Sequence, residues 1–178
     1  MVAAPEQVSA ARPTLHQRRL SPWQLEFMGS VVLGDDQLHA IRGGVGSGKS
    51  SVLLVTADAL CQTRPGASVV VGMDSFTRLQ RVHLPLLQAL RPDADWIASE
   101  RCYRYANGSS MHLVHLDCPP GQTSPIEGHN AHAVMVDEAQ ALRPDVLDVA
   151  QTRARISVAD MAGVVREPVV VTCGIPIE

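Results

Sequence analysis

The chain has 178 residues, 46% of them apolar but only 3% aromatic, and a formal net charge of −3. That length fits one domain, and the charge excludes a protein whose whole surface is a nucleic-acid footprint, so any DNA contact must come from a local patch. A core this poor in aromatics has to be built from Val, Leu, Ile and Ala, the material of a buried parallel sheet flanked by helices.

Residues 1–19 (MVAAPEQVSAARPTLHQRR) are Ala-, Pro- and polar-rich, with Arg12, Arg18 and Arg19 towards the end. They read as a flexible, mildly basic lead-in, which leaves 20–178 as the folded unit. From residue 20 the chain alternates. LHAIRG (38–43) is an apolar strand, and GKSSVLLVTADAL (48–60) is a helix that follows at once. ASVVVGMD (67–74) is a second buried strand. SFTRLQRVHLPLLQAL (75–90) has helical spacing at Leu79, Val82, Leu86 and Leu87, and Pro85 predicts a kink in it.

RCYRYA and SSMHLVHLD, over 101–117, alternate as hairpin strands do about the turn signal Asn107-Gly108. HAVMVDEAQ (132–140) is a buried strand ending in two acids. ALRPDVLDVAQTRA (141–154) is a helix starting near Pro144, and EPVVVTCGIP (167–176) is a last aliphatic strand. Strand and helix in alternation predict an α/β sandwich with a mostly parallel sheet. Such a sheet normally continues beyond its last strand, so the sequence reads as a piece of a longer protein. Cys61, Cys102, Cys118 and Cys173 form no CxxC pair, and no signal peptide or membrane-length apolar run is present. This points to a soluble, reducing compartment.

The only lysine, beside fourteen arginines, lies in RGGVGSGKSS (42–51). Gly43-x-x-x-x-Gly48-Lys49-Ser50 fits the phosphate-loop pattern, between a strand and a helix as that motif requires. Gly43, Gly44, Gly46 and Gly48 let backbone N–H groups turn inward around phosphate oxygens, with Val45, Ser47 and Ser51 completing the loop. The helix start adds its positive end. Lys49 supplies a slim point charge where a guanidinium fork would not fit, and Ser50 a hydroxyl for Mg²⁺. Asp137, at the end of the apolar strand AVMV, suits the Mg²⁺ shell, and Glu138 can polarise the water that attacks the γ-phosphate. Ras-type GTPases orient that water with a glutamine, so the Asp-Glu order favours ATP.

Three features carry two readings each. Gln24, in Ser21-Pro22-Trp23-Gln24, either reads the adenine edge, with Trp23 or Phe27 nearby, or simply belongs to a helix start with Pro at its first position. Thr172 either sits beside the γ-phosphate as a sensor of hydrolysis or is a strand threonine without a role. His112-x-x-His115-x-x-Cys118, with Cys102, His129 and His132, has the residue types of a zinc site. Yet residues three apart on a strand point to opposite faces, which argues against it.

In this order the pieces resemble the ATPase domain of phage terminase large subunits. The matching residues are Gln24, GGVGSGKS at 43–50, the hairpin with NGS at 107–109, the block from Gly128 to Ala139 and VTCGIP at 171–176. The resemblance implies a P-loop NTPase fold of the RecA-like, additional-strand type: a mostly parallel sheet between helices, with a hairpin inserted near 101–117. It implies Mg²⁺-dependent ATP hydrolysis driving double-stranded DNA into a viral capsid, in the cytoplasm of a bacterial host and away from membranes. Partners would be a portal, a small terminase subunit and like subunits in a ring.

Carried over by position, Lys49 and Ser50 bind phosphate and Mg²⁺, Asp137 the metal and Glu138 the water. Thr172 serves coupling and Gln24 contacts adenine. Some terminases place an arginine finger just before the acidic strand, but Ser124-Pro125-Ile126-Glu127-Gly128 contains no arginine. A finger would have to be Arg101, Arg104, Arg78 or Arg81. The family's nuclease domain would lie beyond residue 178. Two other readings stand beside this one: the first RecA-like domain of a helicase or other DNA translocase, and a catalytically inert nucleotide-binding assembly fragment.

Overall fold

The computed structural model describes residues 20–92, 95–119 and 124–174. The expected lead-in at 1–19 and the Ile175-Pro176 end of the last motif lie outside the described residues. In chain order the elements are α1 (Pro22–Leu33), β1 (Leu38–Arg42), α2 (Lys49–Thr63) and β2 (Ser68–Met73). Then come α3 (Phe76–Arg78), a π-helical turn (Leu79–His83), α4 (Leu84–Leu90), β3 (Asp95–Ile97), β4 (Cys102–Arg104) and β5 (Ser110–His115). The chain ends through β6 (Ala133–Val136), α5 (Pro144–Arg153), β7 (Val158–Ala159), β8 (Val165–Arg166) and β9 (Val169–Gly174).

Among the described residues seven strands make one sheet in the order β1-β9-β6-β2-β5-β4-β3, with β1, β9, β6, β2 and β5 parallel, β4 antiparallel to β5 and β3 antiparallel to β4. The last strand among the described residues, β9, thus separates the phosphate-loop strand β1 from the acidic strand β6. Strand alternation divides the core in two. Val69, Val71, Met135, Val171 and Cys173 pack towards Leu53, Leu60 and Leu87 of α2 and α4. Val70, Val134 and Val136 pack towards Val146 and Ala150 of α5. Both faces are covered, which is why these strands read as continuous aliphatic runs.

The expected hairpin forms, with β4 antiparallel to β5. Its second strand also lies parallel to β2 along all six residues, so the hairpin extends the main sheet. β3 and the β7–β8 pair were not foreseen, because two- and three-residue strands carry too little periodicity to register. The helix expected over 75–90 forms with a wide turn at Leu79–His83, two residues ahead of Pro85. Pro85 has no N–H for the carbonyl of Arg81, and the five-residue bond from Leu84 N–H to the Leu79 oxygen belongs to this wider winding.

A buried polar contact ties α1 to the sheet. Arg64 donates to the Val32 oxygen at 3.0 Å and to the Val31 oxygen at 3.4 Å, at the end of α1. It also meets His132 Nε2, while His132 Nδ1 donates to the Ile156 oxygen at 2.8 Å. Burial, with the Arg64 charge adding to it, pulls the His132 pKa down to about 4. An unfolded histidine titrates near ~6.5, so the unfolded chain binds more protons between those values. The contribution is complete above about pH 6.5 and fades as pH falls towards about 4. Urea midpoints measured from pH 7 to pH 4.5 should therefore fall, and His132→Gln should flatten that part of the slope.

Candidate nucleotide site

The loop between β1 and α2 stands at the carboxyl ends of the parallel strands, the end where open α/β sheets bind ligands. Gly46 and Gly48 have φ of +78° and +87°, values that penalise a residue with a Cβ. The Gly43 N–H reaches the Gly174 oxygen at 3.3 Å, which ties the loop to the end of β9. Lys49 is buried, and its ammonium donates to the Gly43 and Gly44 oxygens at 2.8 and 2.9 Å. The lysine is thus held over the loop by weak carbonyl acceptors that a phosphate oxygen can replace. A Cβ placed on Gly44 or Gly46 would meet nothing within 4 Å, so this part of the loop is open to a ligand.

Asp137 follows β6 and is fully buried. Its Oδ1 accepts from the Cys173 thiol at 2.6 Å and from the Glu138 N–H at 3.0 Å. Its Oδ2 accepts from His83 Nε2 at 2.8 Å, and the Ser50 hydroxyl also bonds to the carboxylate. Burial alone would raise its pKa. The bonds from His83, Cys173 and Ser50 outweigh burial and hold it down at about 2. Burial and the neighbouring carboxylate push the Cys173 thiol up, so it stays protonated and donates. The hydroxyl–carboxylate pair Ser50 and Asp137 is the hard oxygen donor set that suits Mg²⁺.

Glu138 has φ +52°, in the left-handed region that a non-glycine residue rarely occupies. Its carboxylate accepts from Gln140 Nε2 and lies 3.8 Å from Arg78 Nη2, while Arg78 Nη1 donates to Asp74 at 2.9 Å. Gly174 makes room for this arrangement, because a Cβ there would sit 2.3 Å from Gln140 Oε1. Of the four arginines in question, Arg78 is the one beside Glu138. Arg101 lies over the Phe76 ring at 4.0 Å, Arg104 pairs with Glu100 at 2.8 Å, and Arg81 is exposed on the π-helical turn.

Gln24 lies against the loop: its Nε2 donates to the Gly48 oxygen at 3.3 Å and its Oε1 accepts from the Ser21 N–H at 2.9 Å. That bond to the Ser21 N–H caps the start of α1, with Pro22 at the first position. Helix start and loop neighbour are therefore the same residue. Thr172 pairs with Ala40 on β1 and lines a groove of about 290 Å³ with Gln140 and Leu147. Strand alternation turns it to the α5 side, and the β9 residue that reaches the Asp137 carboxylate is Cys173. His112 bonds to the Ser110 hydroxyl at 3.1 Å and packs on the His129 ring at 5.0 Å. Among the described residues no three His, Cys, Asp or Glu side chains are grouped to hold a metal ion.

His83, Cys173 and Gln140 escaped the sequence reading. Parity along VVVTCG, set against Asp137, could have found Cys173. Nothing local marks His83, which arrives from 54 residues away.

No family model matches the chain, and no curated protein matches it. Solved structures do. The HK97 bacteriophage large terminase superposes with a TM-score of 0.66 at 14% identity, over 88% of this chain and 33% of that one. The large terminase of the thermophilic bacteriophage D6E in complex with ADP gives 0.65 at 13% identity, over 88% and 38%. The fold is that of a large-terminase ATPase domain. The Thermus phage P74-26 large terminase ATPase domain agrees, at 0.59 and 13% identity, over 90% of this chain and 67% of that domain. The chain spans about a third of the length of the HK97 large terminase. No helix among the described residues of this terminase-like ATPase fold is long and apolar enough to cross a membrane.

Proposed function

We propose that residues 20–178 are the ATPase domain of a terminase-type motor, hydrolysing Mg²⁺-ATP to move double-stranded DNA into a viral capsid. The observation that carries this is the contact between Ser50, in the loop, and Asp137, two strands away, with Lys49 and Glu138 beside them. The D6E structures with ADP and with ATP-γ-S lend support, since a neighbour of the same fold binds nucleotide.

In this reading Lys49 exchanges the Gly43 and Gly44 oxygens for phosphate oxygens. The loop N–H groups from Gly44 to Ser51 hold the phosphate chain. Mg²⁺, held by Ser50 and Asp137, would neutralise charge on the phosphates. Glu138 orients a water and takes its proton as the water oxygen bonds to the γ-phosphorus and the bond to the bridging oxygen breaks. To do so Glu138 would leave Gln140 and Arg78, whose guanidinium stands 3.8 Å from its carboxylate. Gln24 adjoins the loop at Gly48, where it can face the base. Thr172 and Gln140 share a groove through which a change at Glu138 can reach β9, as coupling requires.

The steady-state ATPase rate per subunit, measured against protein concentration, tests the proposal. A rate per subunit that climbs with concentration supports a ring in which neighbours complete the site. A flat, near-zero rate with ATP still bound overturns it in favour of an inert nucleotide-binding assembly fragment.

A further inference from the structure

The segment that bears His83 has a buried face of Leu79, His83, Leu87 and Leu90, so an imidazole stands where the pattern asks for an aliphatic side chain. His83 is 0% exposed, at the end of the π-helical turn, a geometry that often accompanies functional positions. Its Nδ1 is buried without a hydrogen-bond partner. A buried, half-satisfied imidazole is costly in a packed core. The bond from Nε2 to Asp137 Oδ2, at 2.8 Å, is what the ring gains there. Because a carboxylate only accepts, the proton of a neutral ring sits on Nε2, and Nδ1 is left as a bare lone pair.

We propose that His83 is a positioning residue for the metal-binding carboxylate: through Nε2–H it fixes the plane of Asp137 and so sets the affinity of the nucleotide site for its divalent cation. Cys173 and the Glu138 N–H hold Oδ1, and His83 holds Oδ2 from the π-helical turn, so the carboxylate cannot rotate about its own axis without breaking a bond. Ser50 shares that carboxylate, which places the second donor of the pair under the same control. Residues that hydrogen-bond a metal ligand from behind commonly govern metal affinity by ~10–100-fold. This inference rests on the proposed role of Asp137 as the carboxylate that holds Mg²⁺.

The test uses the full chain with Mn²⁺ as the probe, followed by electron paramagnetic resonance in the presence of ADP. ADP affinity in EDTA and thermal denaturation are measured alongside. His83→Leu restores the aliphatic face. It should weaken Mn²⁺ binding by about 10-fold while ADP affinity in EDTA stays unchanged. His83→Gln, whose amide nitrogen can donate to Oδ2, should recover most of that loss. If His83→Leu leaves Mn²⁺ affinity intact while Asp137→Asn weakens it, the inference fails and the role of Asp137 stands. If Asp137→Asn has no effect either, that role falls and the inference with it. Equal losses in His83→Leu and His83→Gln, tracking a lowered melting temperature, would make His83 merely structural and overturn the proposal.

Discussion

Glu138→Gln should lower the steady-state ATPase rate by about 10²–10⁴, the range a general base supplies, and leave ATP affinity nearly unchanged. The substitution keeps the shape of the side chain and its reach towards Gln140 and Arg78. On the proposed reading it removes only the capacity to take a proton from water. Glu138 is partly exposed and its backbone sits at φ +52°. Such a conformation costs about 1–3 kcal/mol, and surrounding contacts, here the Asp137 Oδ1 bond to its own N–H, must maintain it. The measurement is kcat beside the Kd of a fluorescent ATP analogue. Parallel loss of binding and turnover would show that Glu138 shapes the loop and is no base.

Lys49→Ala should instead act on binding. The ammonium is the only lysine charge in the chain, and it sits at the loop with its stem buried. Hydrogen bonds to a charged group contribute about 1.5–3 kcal/mol each, so losing two phosphate contacts weakens ATP binding by about 10²–10⁴. Lys49→Arg should not rescue it. The guanidinium is a wide planar fork, and the space between the Gly43 and Gly44 oxygens accepts a narrow group. Isothermal titration with ATP in both variants decides the matter, and tight binding by Lys49→Ala would remove the loop from the nucleotide site. The contrast is informative in itself: one residue should govern affinity and the other rate.

Asp137 joins these two effects. Its pKa of about 2 keeps it ionised throughout the range in which a protein of this kind works. The linked stability is present above the unfolded carboxylate value near ~4 and is lost as pH falls through about 2. That window begins near pH 4, where the one His132 governs ends, so only the His132 contribution changes between pH 6.5 and pH 4.

By itself the sequence determined the α/β class, the loop at 43–50, the Asp137-Glu138 pair and the succession of the main strands along the chain. Those signals are local. A glycine pattern, an aliphatic run ending in two acids and an Asn-Gly turn each fix their own backbone, whatever lies elsewhere. Only the tertiary structure decided what surrounds them. That β9 lies between β1 and β6 is a matter of long-range pairing, which no segment encodes alone. It brings Cys173 to Asp137 and turns Thr172 to the other face, because alternation on a strand acquires meaning only once its neighbours are known. The same holds for His83 on the carboxylate, Gln140 and Arg78 on Glu138, and Gln24 on Gly48. Apart from the local Gln140–Glu138 contact, each joins groups on separate elements, fixed by packing density and sheet order, to which local sequence pattern is blind.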